Sequence, residues 1–185
     1  ISDRGAKTSS HPLGVVLVCP RGARPVMSDG KPEHEGQVAV VTGGARRLGR
    51  HLCTSLARRG YAVVVLYRGS SADAASLVEE IQARGETARA RSLDVAVEAQ
   101  VRVVFEEIAA LEGRVDLLVN NVGNYNPQHI TRLDPSVWDA TLASNLSGAY
   151  YCCFHALKMM RNGGNIINIG MAGLEGIRAN EYGGD

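Results

Sequence analysis

From Gln37 onward the hydrophobic positions switch between two periods. Val38-Ala39-Val40-Val41-Thr42 is a near-continuous apolar run, the pattern of a strand covered on both faces. Arg46 to Arg59 follows, with Leu48, Leu52 and Leu56 spaced by four and Gly60 at the stop position, which predicts a helix. Tyr61 to Tyr67 reads as a second buried strand, and Ser71 to Arg84 as a helix carried by Ala75, Leu77, Val78 and Ile81 and ended by Gly85. Thr87 to Leu93 is a weaker third strand, Ala96 to Leu111 a helix, and Val115 to Val119 a fourth strand. Asp134-Pro135 opens a helical stretch to about Arg161, proline being favoured in a first turn, and Asn165 to Ile169 makes a fifth strand.

Strand and helix alternating through short connections predict parallel strands, right-handed crossovers and helices on both faces. The expected fold is a doubly wound parallel α/β sheet of the Rossmann type with five strands. Ligands of such sheets lie beyond the carboxyl ends of the strands where strand order reverses. The residues just after the first, second, fourth and fifth strands are therefore the ones to inspect.

The stretch ahead of Met27 shows neither period. Arg4, Lys7, Arg21 and Arg24 against Asp3 give it a balance of +3, so the remainder of a chain of net charge +1 sums to −2. Its apolar run, Leu13 to Cys19, is followed by Pro20-Arg21-Gly22, which offers no small-residue cleavage site for a signal peptide. Residues 1–34 are expected to be a disordered leader, upstream of a start at Met27, and residues 35–185 the folded domain.

A net charge of +1 supplies no basic field for nucleic acid or for an anionic membrane surface. Cys19, Cys53, Cys152 and Cys153 are spaced for neither a zinc site nor a disulfide framework, so no metal is expected. They read as small buried residues of a reducing compartment, hence a cytoplasmic protein. The most apolar stretch, Ala140 to Ala156, is interrupted by Ser144, Asn145, Ser147 and His155 and suits a packed or interface helix better than a membrane span.

The chemistry concentrates after the first strand, in Thr42-Gly43-Gly44-Ala45-Arg46-Arg47-Leu48-Gly49-Arg50. Glycines there let the backbone turn tightly and approach a pyrophosphate at the N-terminus of the following helix, although a tight strand-to-helix turn alone would also use them. Asn120-Asn121-Val122-Gly123 ends the fourth strand, Asp94 follows the third, and Asn145 lies in the long helix. These motifs, in this order, resemble the short-chain dehydrogenase/reductase family from Gln37 to the end of the chain. The family's glycine loop reads Thr-Gly-x-x-x-Gly-x-Gly, and here Arg47 stands at the middle glycine. That variant is similar to the pteridine-reductase branch, itself close to the 3-oxoacyl-acyl-carrier-protein reductases.

The resemblance implies a dinucleotide cofactor held by Gly43, Arg46, Arg47, Leu48, Gly49, Arg68, Ser70, Asp94, Asn121, Val122 and Gly123. Asp94 matches the residue that meets the adenine ring. Selection for NAD commonly uses a carboxylate at the end of strand two, whereas a 2′-phosphate needs cations. Tyr67-Arg68-Gly69-Ser70-Ser71 contains no carboxylate and Arg46 and Arg47 stand close by, so NADP(H) is the expected cofactor.

The family reduces a carbonyl by hydride transfer while a tyrosine beside a lysine donates the proton and an asparagine holds a relay water. Asn145 matches that asparagine. The serine or aspartate expected after strand five is Met171, which offers no useful hydrogen bond, and no Tyr-x-x-x-Lys occurs in the 185 residues. Tyr182 stands near the position of the acid, but Tyr182-Gly183-Gly184 is poor helix sequence and reads more simply as a loop. Tyr125 aligns with the aromatic that stacks on substrate in pteridine reductases, or simply covers the pocket mouth.

The expected function is an NADP-dependent reductase of a carbonyl or pterin-type small molecule. The catalytic helix is expected beyond Asp185, leaving residues 35–185 an incomplete NADP-binding domain without activity of its own. Homo-oligomers, dimer or tetramer, are implied by the resemblance. The alternatives are a catalytically silent dinucleotide-binding protein, favoured by Met171, and a methyltransferase-type use of the glycine loop, which leaves the Asn-Asn-x-Gly motif unexplained.

Overall fold

A computed structural model describes residues 33–124 and 130–170. Five parallel strands, β1 (Val38–Thr42), β2 (Ala62–Tyr67), β3 (Ala88–Ser92), β4 (Val115–Asn120) and β5 (Met160–Asn168), lie in the order β3-β2-β1-β4-β5. Helices α1 (Arg47–Arg58), α2 (Ser71–Gln82), α3 (Glu98–Glu112), α4 (Pro135–Leu142) and α5 (Gly148–Leu157) connect them. The chain winds outward from β1 to β3, then crosses back to place β4 on the other side of β1. The crevice expected for a ligand is therefore at the carboxyl ends of β1 and β4.

Alternate residues of β1 feed two cores. Val38 and Val40 face α3 and α5 with Phe105, Ile108, Cys152 and Ala156. Ala39 and Val41 face α1 and α2 with Cys53, Ala57, Leu77 and Ile81. This two-sided burial is why the strands read as continuous apolar runs.

The leucine spacing in α1 marks a helix but not the face that meets the sheet. Gly49, Cys53 and Ala57 are the buried positions, one residue along from Leu48, Leu52 and Leu56, which are only partly buried. Small side chains let the helix backbone lie close to the strands, and the leucines wedge in from its sides.

Two sequence boundaries move. The helical stretch from Pro135 stops at Leu157 rather than Arg161, and it contains a π-helical turn at Ala143–Ser147 between α4 and α5. The last strand starts at Met160 rather than Asn165. Val115 pairs with Met160 and Leu117 with Asn165, so a bulge takes up the turn-like residues between, with Gly163 at φ +98°.

The outer strand β3 presents Arg89 and Arg91. Each is tied back to α3, Arg89 to Glu112 at 2.7 Å and Arg91 to Glu107 at 3.1 Å. Among the described residues no helix is long and apolar enough to cross a membrane, and no group of three or more His, Cys, Asp or Glu could hold a metal ion.

Candidate functional site

The turn after β1 is fastened to the end of β4. Thr42 Oγ1 accepts the backbone N–H groups of Asn121 at 2.9 Å and Val122 at 3.1 Å. Asn121 Nδ2 returns the contact, donating to the carbonyls of Thr42 at 3.1 Å and Gly43 at 3.2 Å. Asn121 is thus spent on backbone, holding the glycine loop against the fourth strand. The backbone of Val122 and Gly123 then continues along the cleft.

Gly49 is buried on the inner side of the same loop. A Cβ there would lie 2.1 Å from the Gly43 carbonyl oxygen and 2.8 Å from Asn121 Nδ2. Its task is to let α1 approach the loop, which positions the helix N-terminus over the crevice. Arg47, at the family's middle glycine, has φ +48°, the one non-glycine residue with positive φ among those described. A side chain in this region is strained. Leu48 beside it is partly buried.

Around these ends runs a cleft of about 520 Å³ bordered by Gly43, Tyr67, Arg68, Asp94, Val122 and Ser144, among others. Arg68 Nη1 meets Asp94 Oδ2 at 3.0 Å, and Arg46 Nε meets Asp73 Oδ2 at 3.2 Å. Ser70 is partly exposed at the start of α2, where its side chain makes no capping bond. Arg68 borders the cleft, Arg46 and Arg47 stand exposed where the glycine loop enters α1, and the segment that directly leaves β2 holds no carboxylate.

Asn145 sits in the π-helical turn and reaches back to the segment after β4. Its Oδ1 accepts the Asn124 N–H at 2.7 Å and its Nδ2 donates to the Asn124 carbonyl at 2.8 Å, so both ends of the amide meet the backbone of one residue. Ser144 Oγ donates to the same Oδ1 at 2.9 Å. The side chain therefore fixes the segment after β4. Tyr125, Met171 and Tyr182 lie outside the described residues.

Asn120 was read only as the first residue of the Asn-Asn-x-Gly motif, with no contact assigned to it. It is buried, and its Nδ2 donates to Asn168 Oδ1 at 2.8 Å and to Cys153 Sγ at 3.3 Å, joining β4, β5 and α5. Burial raises the Cys153 thiol pKa, partly offset by the Asn120 hydrogen bond. The Arg68–Asp94 and Arg46–Asp73 ion pairs were also not foreseen; the ends of β2 and β3 being neighbours is the signal that could have paired Arg68 with Asp94.

The family model of the short chain dehydrogenases matches residues 37–182. Among curated proteins, the 3-oxoacyl-acyl-carrier-protein reductase of Staphylococcus aureus is 36% identical over 133 residues, 71% of this chain and 54% of that protein. The tetrahydroxynaphthalene reductase of Pyricularia oryzae is 32% identical over 136 residues, 74% of this chain and 48% of that protein. The chain thus spans about half the length of the curated relatives it matches. Among solved structures, a short-chain dehydrogenase from Burkholderia cenocepacia in complex with NADP superposes with a TM-score of 0.71 at 32% identity, covering 74% of this chain and 56% of that one.

Proposed function

The chain belongs to the short-chain dehydrogenase family, and from that premise we propose that its sheet binds NADP(H) in the service of reducing a carbonyl or pterin-type small molecule. The observation that carries the proposal is Arg68 on the border of the cleft, with Arg46 and Arg47 exposed in the turn after β1, while the segment leaving β2 holds no carboxylate. A nucleotide bearing a 2′-phosphate fits that donor set, and one bearing a free 2′-hydroxyl finds no acid in the segment leaving β2. The bound cofactor would supply the hydride. Gly43, Val122 and Gly123 would take the backbone side of it, Asp94 the adenine and Arg68 the phosphate. The NADP-bound Burkholderia relative and the reductase names of the curated relatives support this reading.

In the whole protein, Asn145 would keep the segment after β4 at the reacting end of the cleft, with Tyr125 at the substrate side and Tyr182 a candidate proton donor. Met171 favours a second reading, a dinucleotide-binding protein without turnover, since a thioether neither donates nor accepts a useful proton. The exposed apolar residues of α4 and α5 support assembly into homo-oligomers, and the near-neutral charge and cysteine content support a cytoplasmic setting without nucleic-acid partners.

Calorimetric titration with NADPH and NADH tests the cofactor. NADPH should bind about tenfold or more tightly, and Arg68→Ala should remove most of that margin. Equal affinities in the unaltered chain would refute the assignment. If NADPH binds but a 3-oxoacyl thioester or a pterin is not turned over by the whole protein, the second reading stands.

A further inference from the structure

The ends of β2 and β3 are joined across the mouth of the cleft. Tyr67 and Ser92 are register partners, so Arg68 and Leu93 leave the sheet side by side and Asp94 follows one step later. Arg68 and Asp94 both border the cleft, and Nη1 of the first donates to Oδ2 of the second at 3.0 Å. The aspartate is held from its own loop as well: Oδ1 accepts the Ala96 N–H at 3.0 Å, and its backbone N–H donates to Gln100 Oε1 at 3.0 Å. Oδ1 thus faces its own loop, and Oδ2 is the oxygen whose partner comes from another strand end. Arg68 is the member able to leave, its side chain being 72% exposed against 27% for Asp94.

We propose that the Arg68–Asp94 ion pair is an interlock between two subsites of the nucleotide. While the pair is closed, Arg68 is turned from a 2′-phosphate and Asp94 Oδ2 is turned from an adenine amino group. The inference rests on the dinucleotide reading of the cleft. A ligand with both groups breaks one contact and makes two. A ligand with adenine but no 2′-phosphate must instead compete with Arg68 for the carboxylate. Arg68 then discriminates in both directions, attracting the phosphate and shielding Asp94 from nucleotides that lack it, which is how specificity gains from a penalty on the wrong partner. An ion pair this exposed is weak, so the shielding should amount to a factor of about two to five.

Nuclear magnetic resonance titrations of the 185-residue chain with 5′-AMP and with 2′,5′-ADP read the interlock without turnover. Arg68→Ala should weaken 2′,5′-ADP by about tenfold or more and yet tighten 5′-AMP by about two- to fivefold. The gain for 5′-AMP should vanish when Arg68→Ala is added to Asp94→Asn, and should shrink as salt is raised. Amide spectra of the variants check that the fold is kept, both positions being at the rim rather than in the core. If 2′,5′-ADP weakens while 5′-AMP is unchanged or weaker, Arg68 is a phosphate ligand alone and the interlock is wrong. If neither nucleotide binds the unaltered chain, the dinucleotide reading falls and the interlock with it.

Discussion

Thr42 and Asn121 grip each other from both directions: the threonine hydroxyl oxygen accepts the Asn121 N–H at 2.9 Å, and the asparagine amide donates to the Thr42 carbonyl at 3.1 Å. Strands β1 and β4 are parallel neighbours, so their ladder ends where the chain turns away from the sheet. The side-chain contacts continue the ladder by other means and set the width of the crevice. Thr42→Val keeps the shape but removes the acceptor, leaving the Asn121 and Val122 N–H groups without it. A loss of about 2–4 kcal/mol in urea unfolding is expected, since each unsatisfied group costs about 1–3 kcal/mol. Thr42→Ser should recover most of it. Equal stability of the valine variant would show that water replaces the hydroxyl.

Arg47 places an exposed, charged side chain on an unfavourable backbone at φ +48°. Arg47→Gly should raise stability by about 0.5–1 kcal/mol, because the strain relieved exceeds the entropy that glycine adds to the unfolded chain. The same change should weaken NADPH binding if the guanidinium serves the phosphate. A variant that loses both stability and affinity would indicate that the side chain holds the loop through contacts of its own.

Gly49→Ala sets a methyl group 2.1 Å from the Gly43 carbonyl oxygen, backbone that cannot step aside without moving α1 or the loop. Destabilisation of about 2–3 kcal/mol is expected from such overpacking. Nucleotide affinity should fall even well below the unfolding transition, because the helix N-terminus is displaced. Thermal melting and calorimetry on one preparation separate the two effects.

Burial pushes the thiols of Cys53 and Cys152 up to about 12 from an ordinary value of 9.0, with Cys153 adding to the shift at Cys152. A raised folded value means that the proton is held more tightly in the folded chain. Their contribution is complete below pH 9 and is lost as pH climbs toward 12, at most about 1.4 kcal/mol per pH unit for each thiol. Urea midpoints from pH 8 to pH 10.5 should therefore fall more steeply in the unaltered protein than in Cys53→Ala/Cys152→Ala, whatever the baseline stability of the variant. Parallel slopes would mean that solvent reaches these thiols.

Along α4, the π-helical turn and α5, Trp138, Leu142, Leu146, Tyr150, Phe154 and Leu157 are exposed, Leu146 at 66% and Tyr150 at 61%. The opposite side buries Gly148, Cys152, His155 and Ala156, and His155 Nε2 is held by Glu98 Oε1 at 2.9 Å. Leu146→Glu with Tyr150→Glu should lower the sedimentation coefficient of an assembled protein to that of a single chain, with far-ultraviolet dichroism unchanged. Persistence of the larger species would place the contact elsewhere.

The layered α/β fold was legible because both faces of the sheet are covered, which turns strands such as Val38–Thr42 and Ala62–Tyr67 into unbroken apolar runs. The glycine loop and the Asn-Asn-x-Gly motif were legible because backbone turns demand particular residues. What the side chains do with one another was not. Asn121 and Asn145 are drawn to nearby main-chain groups, and Arg46 and Arg68 to acids contributed by other segments, Asp73 and Asp94. Such partners depend on which strands become neighbours, and linear spacing does not carry that information. The bulge ahead of Asn165 was missed for a related reason: the helix was expected to run to about Arg161 and the strand to start at Asn165, whereas pairing begins at Met160 and Gly163 lets the strand bow and rejoin its partner.

The arginines of β3 bear on solubility. A chain whose charges nearly cancel gains little mutual repulsion between molecules, and a bare strand edge is an invitation to stack with a neighbour's. Arg89 and Arg91 put long charged side chains on that edge, and Glu112 and Glu107 of α3 tether their heads to one side. An incoming strand would have to strip these pairs of water and of each other before it could form a ladder. Protection against misassembly is thus local, mounted on the vulnerable margin of the sheet rather than spread over the molecule as net charge.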